Sequence, residues 1–223
     1  MSTLRSGLYG DYYGSTFSES SALSEAQMKL NAEYIKGFFS MQGWSINAIA
    51  AILGNIEAES SMNPGRWQSD NVNNTSGGYG LVQWTPATKF FNYCDEFGLE
   101  DPSEMDNNIF RIQYEVDREI QWISTSDYPS SFKEFSISTN SVNYLARAFL
   151  INYERPADQS ETVQAYRSSL ASKWYTYLTG EDPGESGEDP GSSDSQRIAK
   201  KHKFNFLLFN SRKKAYRWTK RLF

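Results

Sequence analysis

Apolar positions between residues 24 and 180 recur at helical spacing along most of this stretch. Met28, Ile35, Phe38 and Phe39 make the first stripe. Ser24-Glu25-Ala26-Gln27 ahead of it fits a capping box, in which hydroxyl and amide each satisfy a free backbone N–H, and Gly43 stops the helix. Ser45 can cap a second helix, whose Ile46, Ile49, Ala50, Leu53, Ile56 and Ala58 predict burial, and which ends near Ser60 before Asn63-Pro64-Gly65. A third helix is predicted from Thr85-Pro86, as cap and first residue, to Phe97, with Gly98 as its stop. A longer one is predicted from Asp106 to Ile123, with Ile109, Ile112, Val116, Ile120 and Ile123 on one face. Two more fit 141–154, capped by Thr139 or Asn140 and closed by Arg155-Pro156, and 160–178, with Val163, Tyr166, Leu170 and Trp174 as its stripe.

Residues 61–84 break the period. Asn, Ser and Gly cluster from Asn71 to Gly80, which predicts a loop or small hairpin. The expected fold is therefore α+β and mostly helical, with a small irregular or hairpin lobe after the second helix. Residues 1–23 have no period and read as an N-terminal arm, and 24–180 as one domain. The doublet GEDPGESGEDPG begins an acidic Gly/Pro/Ser linker at 181–194, and 195–223 form a basic, aromatic tail.

Charge supports this division. The net of −5 is unevenly spread: residues 181–194 hold six acids and no base, and residues 195–223 hold ten bases and no acid. The tail suits a polyanion, a docking surface on a partner or the start of a further domain, and is equally consistent with a plain basic extension. A single cysteine, Cys94, excludes an intrachain disulfide and reads as a small buried hydrophobe. The one histidine, His202, lies in the tail, so a His-based triad or multi-His metal site in the main domain is excluded. The first twenty residues lack the apolar core of a signal peptide, and no stretch reaches about 18 apolar residues, so delivery by another route and no membrane-spanning helix are expected.

Chemistry concentrates in GNIEAESSMNPGRWQSDNVNNTSGGYGLVQWTPA, residues 54–87. Glu59 ends the most apolar helix. A carboxyl held there is expected to be partly desolvated, and desolvation favours the protonated form that a glycosidase acid needs. An ordinary exposed helix-end carboxylate has the same local signature. Amides, hydroxyls and indoles in the following loop suit sugars.

The ordered set Glu59-Ser60, Gly78-Tyr79-Gly80-Leu81-Val82-Gln83-Trp84 and Asn152-Tyr153-Glu154-Arg155-Pro156 resembles the lysozyme-like superfamily, and in its fuller wording the phage tail lysozyme family, over about residues 24–180. The resemblance implies a lysozyme-like fold and cleavage of the β-1,4 bond between N-acetylmuramic acid and N-acetylglucosamine in bacterial peptidoglycan. It assigns the general acid to Glu59. Glu57 points about 200° away on the helix and reads as a neighbour. Ser60, Tyr79, Gly80, Gln83, Trp84 and Tyr153 fall in motifs that border the cleft. Gln83 can bond a sugar or its own loop backbone, Trp67 and Trp84 can be platform or core, and Gly78 and Gly80 can permit close approach or simply turn the chain. Glu154-Arg155 reads as a structural ion pair. Asp70, on the loop 11 residues after Glu59, is the candidate for a second catalytic carboxylate, base or nucleophile.

Such chemistry requires no metal, cofactor or nucleic acid. The resemblance makes the chain a glycoside hydrolase of the virion tail tip, acting on the host wall and bound to other tail proteins through the arm and the basic tail. The alternatives are an endolysin released at lysis, a lytic transglycosylase that needs one carboxyl only, and a silent wall-binding tail component. The family often continues into a metallopeptidase, for which residues 181–223 lack the histidines.

Overall fold

The computed structural model describes residues 21–184 and the backbone of residues 3–4 and 16–17. The remaining arm, the linker beyond residue 184 and the basic tail lie outside the described residues. Two short strands, β1 (Thr3–Leu4) and β2 (Thr16–Phe17), pair antiparallel, Thr3 opposite Phe17. Seven α-helices follow among the described residues.

Helix α1 (Glu25–Met41) opens with the expected capping box: the Ser24 N–H donates to Gln27 Oε1 at 2.9 Å, and the Gln27 N–H donates back to the Ser24 hydroxyl. Helix α2 (Ile46–Ser60), capped by Ser45, is buried along almost its whole length. It is the axis of the domain. Helices α6 (Val142–Phe149) and α7 (Glu161–Thr179) pack on it and on each other, while α1 and α5 (Phe132–Ile137) cover other flanks. Such an all-round apolar helix is stable only inside a shell of neighbours.

Helix α3 (Thr88–Phe97) begins later than the sequence predicts. The Thr85 hydroxyl donates to the Gln83 carbonyl instead of capping, and a turn from Pro86 to Lys89 leads in. Helix α4 (Met105–Arg118) ends earlier than expected. Glu119 is left-handed there, and its carboxylate accepts the Phe132 and Lys133 N–H groups, so one residue closes α4 and caps α5. Ile120 and Ile123, expected on the buried face, are exposed, Ile123 by 58%. The cap of α6 is Ser141, one residue past the expected Asn140. The chain then widens into a π-helical turn, Leu150–Glu154, closed by left-handed Arg155. Helix α7 faces the core with Arg167, Ser168, Ala171 and Trp174; Tyr166 is 54% exposed, against expectation. Gly180 ends it left-handed, its N–H on the Thr176 carbonyl.

The segment between α2 and α3 carries a 3₁₀ turn, Gln68–Asp70, and isolated bridges joining Trp67 to Tyr79 and Tyr79 to Trp84. It is a small irregular lobe held by stacked aromatic rings. The domain is mostly helical, and its lobe forms no sheet among the described residues.

Candidate active site

Two small residues set the distance between α2 and α7. A Cβ on Gly54 would lie 2.4 Å from the Ala171 nitrogen, so the backbones meet without an intervening side chain. Around this contact the helices exchange polar groups. Glu57 accepts from Lys173 Nζ and Trp174 Nε1, both at 2.6 Å. Arg167 donates from Nη1 to the Asn55 carbonyl at 2.9 Å and from Nη2 to Glu59 Oε1 at 2.5 Å. The Glu59 side chain keeps 20% of its surface exposed, whereas Arg167 is nearly enclosed. The two glutamates, two residues apart, thus meet different partners. The sequence singles out Glu59 but not Arg167, its partner here, although the small Ser168 and Ala171 beside Arg167 mark the close helix contact.

A second carboxyl lies close by. Glu154 ends the π-helical turn, and its Oε1 is buried without a hydrogen-bond partner. Burial first, and the Glu59 charge second, push this carboxyl well above the ordinary carboxylate range, while Arg167 pulls the other way. The expected ion pair with Arg155 does not form. The Arg155 guanidinium turns to the carbonyls of Gln121 and Asn152, which the left-handed backbone at Arg155 brings within reach. Glu154 and Arg155 line a cleft of about 210 Å³ with Gln83, Trp84, Gln121 and Tyr153.

The floor of that cleft rests on Glu115 of α4, which is fully buried. Its Oε1 accepts from Arg111 Nε at 2.8 Å and Trp84 Nε1 at 3.1 Å, and its Oε2 accepts from the Tyr153 hydroxyl at 2.5 Å. Burial raises the Glu115 carboxyl; Arg111 is the largest opposing influence. One carboxyl therefore ties the loop after α2 to the π-helical turn.

Most motif residues build the framework. Ser60 is buried and donates to the Ile56 carbonyl. Tyr79 packs edge-on to Trp67, and Trp84 stacks on Phe90 at 4.6 Å; all three indole and phenol rings are buried. Tyr153 is buried as well. Gly80 has φ +81°, and a Cβ there would sit 2.5 Å from Asn108 Oδ1, so no other residue fits that turn. The Gln83 amide nitrogen donates to the Arg66 and Gly80 carbonyls, which satisfies the loop backbone. Of the motif residues expected at the cleft, Gln83, Trp84 and Tyr153 line it, and Ser60, Tyr79 and Gly80 do not. Asp70 stands apart on the lobe: 38% exposed, it receives Arg66 Nε at 3.2 Å.

The sequence matches the phage tail lysozyme family over residues 30–178. It is also similar to morphogenesis protein 1 of Bacillus phage B103, at 46% identity over 164 residues, which make up 74% of this chain and 43% of that relative. The chain thus spans less than half the length of the relative it matches.

Proposed function

The chain belongs to the phage tail lysozyme family, and on that premise we propose that it is a muramidase of the phage particle. It hydrolyses the β-1,4 bond between N-acetylmuramic acid and N-acetylglucosamine in bacterial peptidoglycan, with Glu59 as the general acid. The observation that carries this reading is the setting of Glu59. It ends a buried helix, bonded to a guanidinium and still partly exposed, and its charge reaches a second carboxyl, Glu154, in the wall of the cleft. A partly enclosed carboxyl suits protonation of a leaving glycosidic oxygen, and a second one nearby suits the base or nucleophile of hydrolysis. Glu59 gives its proton to that oxygen as the C1–O bond breaks, and water completes the sugar. Asp70, engaged by Arg66 on the lobe surface, is the weaker candidate for the second group.

A place in the tail agrees with the family and with a relative named for morphogenesis. No helix among the described residues is long and apolar enough to cross a membrane. Digestion of purified peptidoglycan, read by mass spectrometry, tests the activity. Reducing ends mean hydrolysis; 1,6-anhydro ends mean transglycosylation; no release means a wall-binding component. Proteomics of purified particles tests location, and presence in late lysates alone points to an endolysin.

A further inference from the structure

We propose that Arg167 is the positioning residue of this site. Its guanidinium bridges the Asn55 carbonyl and Glu59 Oε1, which fixes the acid's carboxyl against its own helix and leaves Oε2 as the oxygen that carries the proton. The inference deepens the reading of Glu59 as the acid and rests on it.

The bridge follows from the geometry of α2. Asn55 and Glu59 stand four residues apart, so they share one face of the helix. Arg167 reaches that face from α7. It donates from Nη1 to the Asn55 carbonyl at 2.9 Å and from Nη2 to Glu59 Oε1 at 2.5 Å. A guanidinium is a rigid planar fork, so its two prongs set the carboxyl at a fixed place relative to the backbone that bears it. Enclosure keeps the fork there. The Arg167 side chain is only 10% exposed, and the tight contact of Gly54 with Ala171 lies about one turn further along α7.

The two glutamates of α2 differ in how many oxygens are taken. Glu57 Oε1 accepts from Lys173 Nζ and its Oε2 from Trp174 Nε1, so both are committed. Glu59 commits Oε1 alone. Its Oε2 takes no hydrogen bond among the described residues, and its side chain stays partly exposed. A protonated carboxyl has one oxygen that accepts and one O–H that donates. With Oε1 occupied by the guanidinium, the O–H falls to Oε2, the oxygen left for substrate.

The chemistry then has a direction. The Oε2–H bond breaks and the proton passes to the glycosidic oxygen, which leaves with the electron pair of the C1–O bond. The charge that forms on Glu59 meets a guanidinium already in place, so nothing has to rearrange at that moment. Water gives hydroxide to C1, and its remaining proton returns to Glu59 Oε2. Arg167 neither gives nor takes a proton; it acts through Glu59.

The test is steady-state cleavage of soluble peptidoglycan fragments by the full chain, by Arg167→Ala and by Arg167→Lys. The alanine change is repeated in a Glu59→Gln background, and every variant is followed by thermal unfolding. Arg167→Ala should lower kcat about 10–100-fold, the cost of loosening a reacting group, and leave KM within about twofold. Arg167→Lys keeps the charge on a single prong and should recover part of kcat. In the Glu59→Gln background the alanine change should cost little further, because no acid is left to position. Lys173→Ala, which frees Glu57 in the same helix seam, should keep kcat near that of the parent. A folded Arg167→Ala with a parental or higher kcat would overturn the proposal, and so would equal losses in the two backgrounds, which mark a merely structural role. Proton–nitrogen NMR of the parent reads the bridge without variants. Arg167 should show separate, slowly exchanging Nη protons, and a freely rotating guanidinium would sink the idea even if every variant failed to fold. A parent chain that cleaves nothing, or a Glu59→Gln variant that cleaves normally, would instead count against the muramidase reading.

Discussion

Gly54 and Ala171 touch backbone to backbone, and this contact decides how far Arg167 reaches. Arg167 precedes Ala171 by about one turn of α7, and Glu59 follows Gly54 by a little more than one turn of α2. The guanidinium meets the carboxylate because nothing larger than hydrogen separates the helices at Gly54.

Gly54→Ala is therefore expected to destabilise the fold by about 1–3 kcal/mol, the usual cost of overpacking, or more because the obstacle is main chain. It should lower activity as well, by shifting Arg167 away from Glu59. Denaturant unfolding with a parallel lysis assay checks both. An unchanged midpoint would mean that the two helices slide apart freely.

Glu59→Gln is expected to lower peptidoglycan cleavage by about 10²–10⁴-fold, because an amide cannot supply the proton, with little loss of fold. Glu57→Gln keeps an acceptor for Trp174 and loses only the half-exposed Lys173 pair, at a cost of about 0–1 kcal/mol. Its lysis should stay near that of the parent. Equal losses in the two variants would remove the distinction between these glutamates.

Asp70→Asn breaks the exposed pair with Arg66, also worth about 0–1 kcal/mol. Lysis should be hardly changed, because this half-exposed carboxylate is engaged by Arg66 on the lobe. A loss as large as that of Glu59→Gln would restore Asp70 as the second catalytic carboxyl.

Stability should fall as pH rises from mildly acidic to mildly alkaline. Folding keeps protons on Glu154 and Glu115 that the unfolded chain releases above the ordinary carboxylate range. The folded chain then binds more protons, so each group's contribution is full below its unfolded value. It is lost on the way up through the raised folded value, at no more than about 1.4 kcal/mol per pH unit. Melting curves of the parent and Glu154→Gln across that range should run close together at low pH, where both side chains are neutral, and part at high pH, where only the parent must bury a charge. Parallel curves would contradict the raised Glu154 carboxyl.

Ending the chain after Gly180 should leave the domain folded, since α7 closes there on its own left-handed cap. Such a shortened chain should melt near the parent temperature and cleave soluble glycan fragments. Unfolding on truncation would make the linker and tail part of the domain.

Much of the architecture was legible in the residues. Ser24, Ser45 and Gly98 mark helix ends through local hydrogen bonds and left-handed turns, and these need no tertiary information. Ser131-Phe132-Lys133-Glu134 carries the same capping box as α1, yet its six-residue helix is too short to show an apolar period. Ile120 and Ile123 continue the period of α4 without being buried, because Glu119 turns the chain first. At the site, Glu59 could be read from its motif and its helix. Glu154 could be placed at the cleft from its motif, but its burial without a partner depends on the widened turn after α6. Arg167 could not be read, because its bond to Glu59 depends on where α7 crosses α2.

Glu115 joins Trp84 from one segment, Tyr153 from another and Arg111 from its own helix into a single buried knot. Substituting any one of the three partners alone would leave this buried carboxyl short of a donor, so positions far apart in the sequence are held to one another by a single side chain.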